Sequence, residues 1–300
     1  MKFCSTNRDD ILHRLLANDP TLTELYVVCN QIGAKGAKDL AGALGGNCTL
    51  TLLDVHSNHI GVEGVKALVD ALKGHPTLTE LYIHGNQIGV EGAKALAYLL
   101  EDNCTLTILY VSDNHIGVEG VKALAEALKV NRPLKKLYLN GNKIDDEGAG
   151  CLAGALRGNS TLTELSVSGN QIGVKGAEYL AGALGVNCTL TRLCVNNNKI
   201  GDVGGRALLD ALENNRTLTR LDVHLKKKRD LERKKRLEAE NRLHLIRKGA
   251  DRLRRILTSG QSCSECPVHH LGNEENLVNL IIEFCKEGGT SILIELGKEA

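Results

Sequence analysis

Hydrophobic positions in this 300-residue chain recur with one period. A block of the form T-L-T-x-L-x-V begins at Thr21, Thr49, Thr77, Thr105, Pro133, Thr161, Thr189 and Thr217, in steps of 28 residues with no insertion. Inside a block the apolar positions alternate: Leu25 stands between Glu24 and Tyr26, and Val27 follows. That period of 2 predicts a short strand. Further on the period lengthens. Ala37, Leu40, Ala41 and Leu44 fall at i, i+3, i+4 and i+7, the stripe of an amphipathic helix. Between strand and helix stands an Asn, at Asn30, Asn58, Asn86, Asn114, Asn142, Asn170 and Asn198, with Ile two positions later and Gly four beyond that. In the eighth block Lys226 occupies the Asn place, and the pattern stops.

Each unit is thus predicted to be a strand, a tight turn and a helix. None can bury its apolar side alone, so neighbours must stack into a continuous core. Helices pack about 8–10 Å apart and paired strands about 4.8 Å apart, so the stack must curve, with parallel strands on the concave face and helices on the convex face. The array is expected over residues 21–224, as seven full repeats and a truncated eighth. Residues 1–20 predict an N-terminal capping helix with Ile11, Leu12, Leu15 and Leu16 on one stripe. The recurring Asn offers an amide to backbone groups in the turn, so the change Asn114→Ala is expected to destabilise the array.

The motif L-x-x-L-x-V-x-x-N-x-I-G, seen from Leu22 to Gly33 and repeated, resembles the leucine-rich-repeat consensus. Its 28-residue helical unit is similar to the ribonuclease-inhibitor subfamily, which includes the sensor ends of NOD-like receptors and the Ran GTPase activator. The resemblance implies an α/β horseshoe solenoid that binds a protein on its concave face, with an enzyme covered at its active site as one version. The short, near-identical repeats also resemble leucine-rich-repeat effectors of intracellular bacteria of the Legionella type.

Strand leucines turn inward, so the positions around them face outward in three columns. The first is Glu24, Leu52, Glu80, Ile108, Lys136, Glu164, Arg192 and Arg220. The second is Tyr26, Asp54, Tyr82, Tyr110, Tyr138, Ser166, Cys194 and Asp222, and the third includes His56 and His84. Four of the six tyrosines of the chain lie in the second column, and tyrosine favours interfaces because it joins rigid area to a polar tip. Its liking for strands is the plainer explanation. The residues expected to meet a partner are Tyr26, Asp54, His56, Glu80, Tyr82, His84, Tyr110, Asp113, Lys136, Tyr138 and Arg192. The first column also drifts toward basic residues, which would orient a partner of complementary potential.

Composition and charge refine this picture. Aromatics are 3% with no Trp, so the core must be aliphatic. The net charge of +1 conceals a basic stretch: residues 225–257 hold 14 basic and 5 acidic residues. That stretch predicts one long helix with a short heptad seam through Ala239, Leu243, Ile246, Ala250, Leu253 and Leu257. Residues 225–300 thus read as a helical extension, a basic helix and then an acidic tail. The basic segment is the one place to consider nucleic acid or an acidic membrane, although a solvated helix face explains it as well and no aromatics are interleaved to stack bases. A second helix is expected over Glu274 to Cys285. Cys263 and Cys266 have zinc-ligand spacing beside His269 and His270, but a second pair at the usual spacing is missing. The histidines His56, His59, His84 and His115 are also weighed as a metal cluster, but surface histidine is the plainer reading.

No cofactor, metal or small-molecule substrate is expected, and no catalytic role. No nucleophile–base pair can be argued, and Cys263-Ser264-Glu265 departs from the Cys-x-Asp motif of bacterial repeat ubiquitin ligases. A GTPase regulator and a NOD-like-receptor-type sensor fragment are the alternatives. The Ran activator has an acidic tail where this chain has basic residues, and no nucleotide domain is seen. The start MKFCSTNRDD lacks an apolar signal run, so a cytoplasmic location is expected, or a host cytosol for an effector. Five N-x-T triplets, at Asn47, Asn103, Asn159, Asn187 and Asn215, share one repeat offset and are read as a by-product of the repeat.

Overall fold

The protein is described by a computed structural model covering residues 8–258. It opens with α1 (Arg8–Leu16), β1 (Glu24–Tyr26) and α2 (Gly33–Leu44). Then come β2 (Leu52–Asp54), α3 (Gly61–Leu72), β3 (Glu80–Tyr82), α4 (Gly89–Asp102), β4 (Ile108–Tyr110) and α5 (Gly117–Val130). The series continues with β5 (Lys136–Tyr138), α6 (Asp146–Gly158), β6 (Glu164–Ser166), α7 (Val174–Leu184), β7 (Arg192–Cys194) and α8 (Gly201–Asn214). It ends with β8 (Arg220–Asp222) and α9 (Lys228–Thr258). The strands form one parallel eight-stranded sheet in chain order, each residue paired with the one 28 positions on. Consecutive helices pack against one another along the array. A parallel sheet with helices on one side is the α/β solenoid that the period predicts.

The core lies between the layers. Leu25, Leu53, Leu81, Leu109, Leu137, Leu165, Leu193 and Leu221 from the strands meet Leu40, Leu68, Leu96, Leu124, Leu152, Leu180 and Leu208 from the helices, all buried. The glycine in the first helical turn permits this closeness. A Cβ at Gly120 would stand 2.8 Å from the Ala93 Cβ, and one at Gly204 2.8 Å from that of Ala177. Of the proposed capping stripe, Ile11 and Leu15 are fully buried, whereas Leu16 is 61% exposed.

Two asparagine ladders hold the turns. In the predicted one, Asn114 is fully buried. Its Nδ2 donates to the carbonyls of Ile83 (3.0 Å), Val111 (3.0 Å) and Ser112 (3.2 Å), and its Oδ1 accepts from the Asn86 N–H at 2.8 Å. Each rung therefore satisfies backbone groups that would otherwise be buried without partners. The second ladder is made by the asparagines of the N-x-T triplets, joined by Asn131. Asn159 Nδ2 donates to the Leu128 carbonyl at the end of the preceding helix (2.7 Å), and its Oδ1 accepts from Leu162 N–H (2.8 Å). Asn187 and Asn215 repeat this. These side chains are buried and occupied, which gives the triplets a structural reason. His75 takes the rung between Asn47 and Asn103. Its Nδ1 accepts from Leu78 N–H at 3.2 Å, but its buried Nε2 finds no partner among the described residues.

By compactness the chain divides between Glu238 and Ala239. The first turns of α9 belong with the array. Leu237 is buried, Glu238 Oε1 accepts from Leu221 N–H of β8 at 2.6 Å, and Arg233 pairs with Asp210 (2.8 Å) and Glu213 (2.7 Å). Part of the basic run therefore closes the last repeat. In the second unit α9 continues to Thr258. Cys263, Cys266, His269, His270 and the helix expected over Glu274 to Cys285 lie outside the described residues. Among the described residues no helix is long and apolar enough to cross a membrane.

Candidate protein-binding face

The face of the sheet away from the helices carries the three columns. Because parallel register keeps equivalent positions side by side, Tyr82, Tyr110 and Tyr138 stand on adjacent strands. Their rings stack: 5.6 Å between the centroids of Tyr82 and Tyr110, 4.2 Å between Tyr110 and Tyr138. His56 and His84 stack at 4.2 Å, and the His84 ring meets Tyr110 at 5.2 Å. The tyrosines are half-buried, covered by each other and not by the core. Neighbouring carboxylates take two of the hydroxyls: Tyr26 donates to Glu24 (3.0 Å) and Tyr82 to Glu80 (2.7 Å). Burial, then Glu80, pushes the Tyr82 phenol well above its ordinary range; burial, then Glu164, does so for Tyr138. The phenols thus stay neutral donors. Burial, and then His56, pulls His84 down, which keeps it neutral as well.

The remaining predicted residues separate. Asp54 is only 8% exposed, and its Oδ1 accepts from His56 Nδ1 (2.7 Å) and His56 N–H (3.1 Å), so it is a floor beneath the face and not a projecting group. Lys136 is half-buried between Ile108 and Glu164 in register. Asp113 is exposed in the turn after β4, in a left-handed conformation at φ 55°. His59 meets Gln87 at 3.1 Å and His115 is exposed in its turn, so the four histidines do not converge. Among the described residues no group of three His, Cys, Asp or Glu is arranged to hold a metal ion.

The expected basic end of the face is neutralised from within. Arg192 lies 2.9 Å from Glu164 and 3.3 Å from Asp222, and Arg220 lies 3.0 Å from Asp222. Cys194 donates to Asp222 at 3.0 Å; burial, and then that carboxylate, raises its thiol to about 11. Burial raises the Asp222 carboxyl, but hydrogen bonds from Cys194, Arg220 and Arg192 outweigh it and the net shift is downward. One-column reading missed this network. The signal was present: Glu164 and Arg192 are 28 apart in one column, and Asp222 is 28 past Cys194.

Residues 18–41, 46–69 and 74–97 match the leucine-rich-repeat family model. The chain is a leucine-rich-repeat protein. Residues 113–242 of this leucine-rich-repeat protein match the TMOD/LMOD leucine-rich domain, a stretch that begins at Asp113 and includes Tyr138 and Arg192. Among solved structures it is similar to the Leiomodin-1 Actin-Binding Site 2 (ABS2), at 27% identity over 46% of this chain and 82% of that one, with a TM-score of 0.44. It is also similar to the tropomodulin C-terminal domain of Caenorhabditis elegans, at 20% identity over 56% of this chain and 98% of that one, with a TM-score of 0.46. No match was found among the curated proteins.

Proposed function

We propose that this leucine-rich-repeat protein is a binding scaffold without catalytic activity, and that it grips a globular protein on the face around Tyr82, Tyr110 and Tyr138. The observation that carries this reading is the continuous ring stack on the sheet face, with the Tyr82 hydroxyl held by Glu80. The structural core gains nothing from rings placed there. Pre-ordered aromatic side chains lose little entropy on binding and expose large apolar area, the properties of interface anchors. The narrower version, in which the partner is an enzyme covered at its active site, rests on the likeness to ribonuclease inhibitor, and delivery as a bacterial effector rests on repeat likeness.

Binding to a panel of purified proteins tests the reading. The panel includes monomeric actin, because one similar structure is an actin-binding site, and ribonucleases for the inhibitor version. Expected is at least one partner whose affinity falls when Tyr82, Tyr110 and Tyr138 are replaced together by alanine. A partner held equally well by the folded triple variant rules out this face.

A further inference from the structure

Resting on that reading, we infer that His56 and His84 form a proton-operated brace for the tyrosine stack. Neutral, the two rings lie against each other and hold Tyr110 in place. When both must carry charge, His84 leaves the stack and Tyr110 loses its support.

His56 follows β2 and His84 follows β3, 28 positions apart in the third column. Their rings are 4.2 Å apart and within 13° of parallel. The next member of the column is Ser112, a small side chain whose Oγ accepts from Asn140 N–H at 3.1 Å. Its size leaves room for the His84 ring to lean across onto Tyr110, at 5.2 Å and 56°. Tyr110 is the middle ring of the stack, with Tyr82 on one side and Tyr138 on the other. The histidine pair therefore buttresses the row at its centre.

The two rings differ in what a proton meets. His56 donates from Nδ1 to Asp54 Oδ1 at 2.7 Å, so a charged His56 ring sits against a carboxylate. The Nδ1 of His84 is buried and has no hydrogen-bond partner among the described residues. A neutral ring can keep its proton at Nε2. A charged ring must carry a second one at Nδ1, where it meets no acceptor. The charges that face His84 are His56 stacked on it, Asp54 on β2 and Asp113 in the turn after β4, while the Tyr82 and Tyr110 hydroxyls stay neutral. Burial, and then His56, outweighs the two carboxylates and pulls His84 below the ordinary 6.5. A His84 ring released into water takes its proton near that ordinary value, whereas the stacked ring resists it. Each pH unit below about 6.5 therefore shifts the balance from stacked to released by up to about tenfold. A partner that needs the rigid row binds the released form less well.

The test is NMR of the full chain between about pH 8 and 5, reading the ring protons of both histidines and the cross-relaxation between His84 and Tyr110. The His84–Tyr110 contact should be present at about pH 7.5 and lost as the pH falls through about 6. His56→Gln removes the opposing charge and should raise the His84 midpoint by about half a pH unit or more. His84→Phe keeps a ring against Tyr110 without a proton, and should hold the Tyr110 signals constant over the whole range. A contact that persists to about pH 5, or an unmoved midpoint in folded His56→Gln, overturns the brace. In the binding panel, the parent should hold a captured partner about fivefold more weakly than His84→Phe at about pH 5.5, and equally well at about pH 7.5. If the brace fails while the Tyr82, Tyr110 and Tyr138 triple variant still loses its protein partner, the wider binding face stands. If the His84 contact opens with pH while the triple variant keeps every partner, the brace stands and the wider face falls.

Discussion

The two ends of the sheet face use the same backbone for opposite purposes. From β1 to β5 the outward column is Tyr, Asp, Tyr, Tyr, Tyr; the last three rings stack, and the hydroxyls of Tyr26 and Tyr82 rest on Glu24 and Glu80. From β6 to β8 the column is Ser166, Cys194 and Asp222, and Arg192 and Arg220 are consumed by Glu164 and Asp222. Register is identical at both ends, so geometry alone does not distinguish them. The first end carries rigid aromatic area on the sheet face, where we propose that a partner docks. The second has satisfied its own charges and gains stability from within. A repeat scaffold can thus change one column of side chains while the leucines and asparagines that hold it together stay the same.

The sharpest way to break this comparison is to remove what both ends share. Asn114→Ala deletes three donated hydrogen bonds and the acceptor for Asn86 N–H, all buried. The expected loss is about 3 kcal/mol, read as a lower urea midpoint at constant m-value. Asn30→Ala, where the side chain is half-buried at the first turn and donates to the Val28 carbonyl at 2.9 Å, should cost about 1 kcal/mol. Equal losses at the two sites would mean that burial of the ladder is not its source of stability.

A second test separates the ends. Replacing Tyr82, Tyr110 and Tyr138 with alanine should weaken a captured partner about 100-fold or more while leaving the fold intact, because the core lies on the other side of the sheet. Arg192→Gln should do the reverse. It leaves the buried Glu164 carboxylate without its cation. The stability cost should be about 1–2 kcal/mol, with partner affinity changed by less than about threefold. A larger binding effect at Arg192 than at the tyrosines would invert the assignment of the two ends.

Much of this was legible in the sequence because a solenoid maps period directly onto space. The 28-residue step fixed which residues are neighbours, so the tyrosine column and the Asn114 ladder followed from counting. What escaped was chemistry between columns. The pairing of Arg192 with Glu164 and Asp222 joins two columns, and a column read by itself shows only a drift toward basic residues. Asp54 is buried between Tyr26 and Tyr82, a depth that alternation along the strand does not show. The N-x-T asparagines were recognised as periodic, yet their partner, a helix-end carbonyl one repeat back, lies 31 positions away and has no sequence mark.

The smallest expected effect concerns the one rung where the second ladder breaks. His75 replaces asparagine, and its buried Nε2 has no partner where Asn159 donates to a helix-end carbonyl. Burial pulls its imidazole below the ordinary 6.5. A depressed histidine binds fewer protons folded than unfolded. Stability is therefore full above about 6.5 and falls as the pH drops below it. His75→Asn should restore the donor, add about 1 kcal/mol near neutrality, and flatten the pH dependence between about 7 and 5. A slope remains from His84, which is lowered by burial and by His56 on the face. Urea midpoints across that range distinguish the contributions. If His75→Asn and the parent lose stability in parallel as the pH falls, the ladder is not where the proton acts, and His84 is the remaining source among the described histidines lowered by burial.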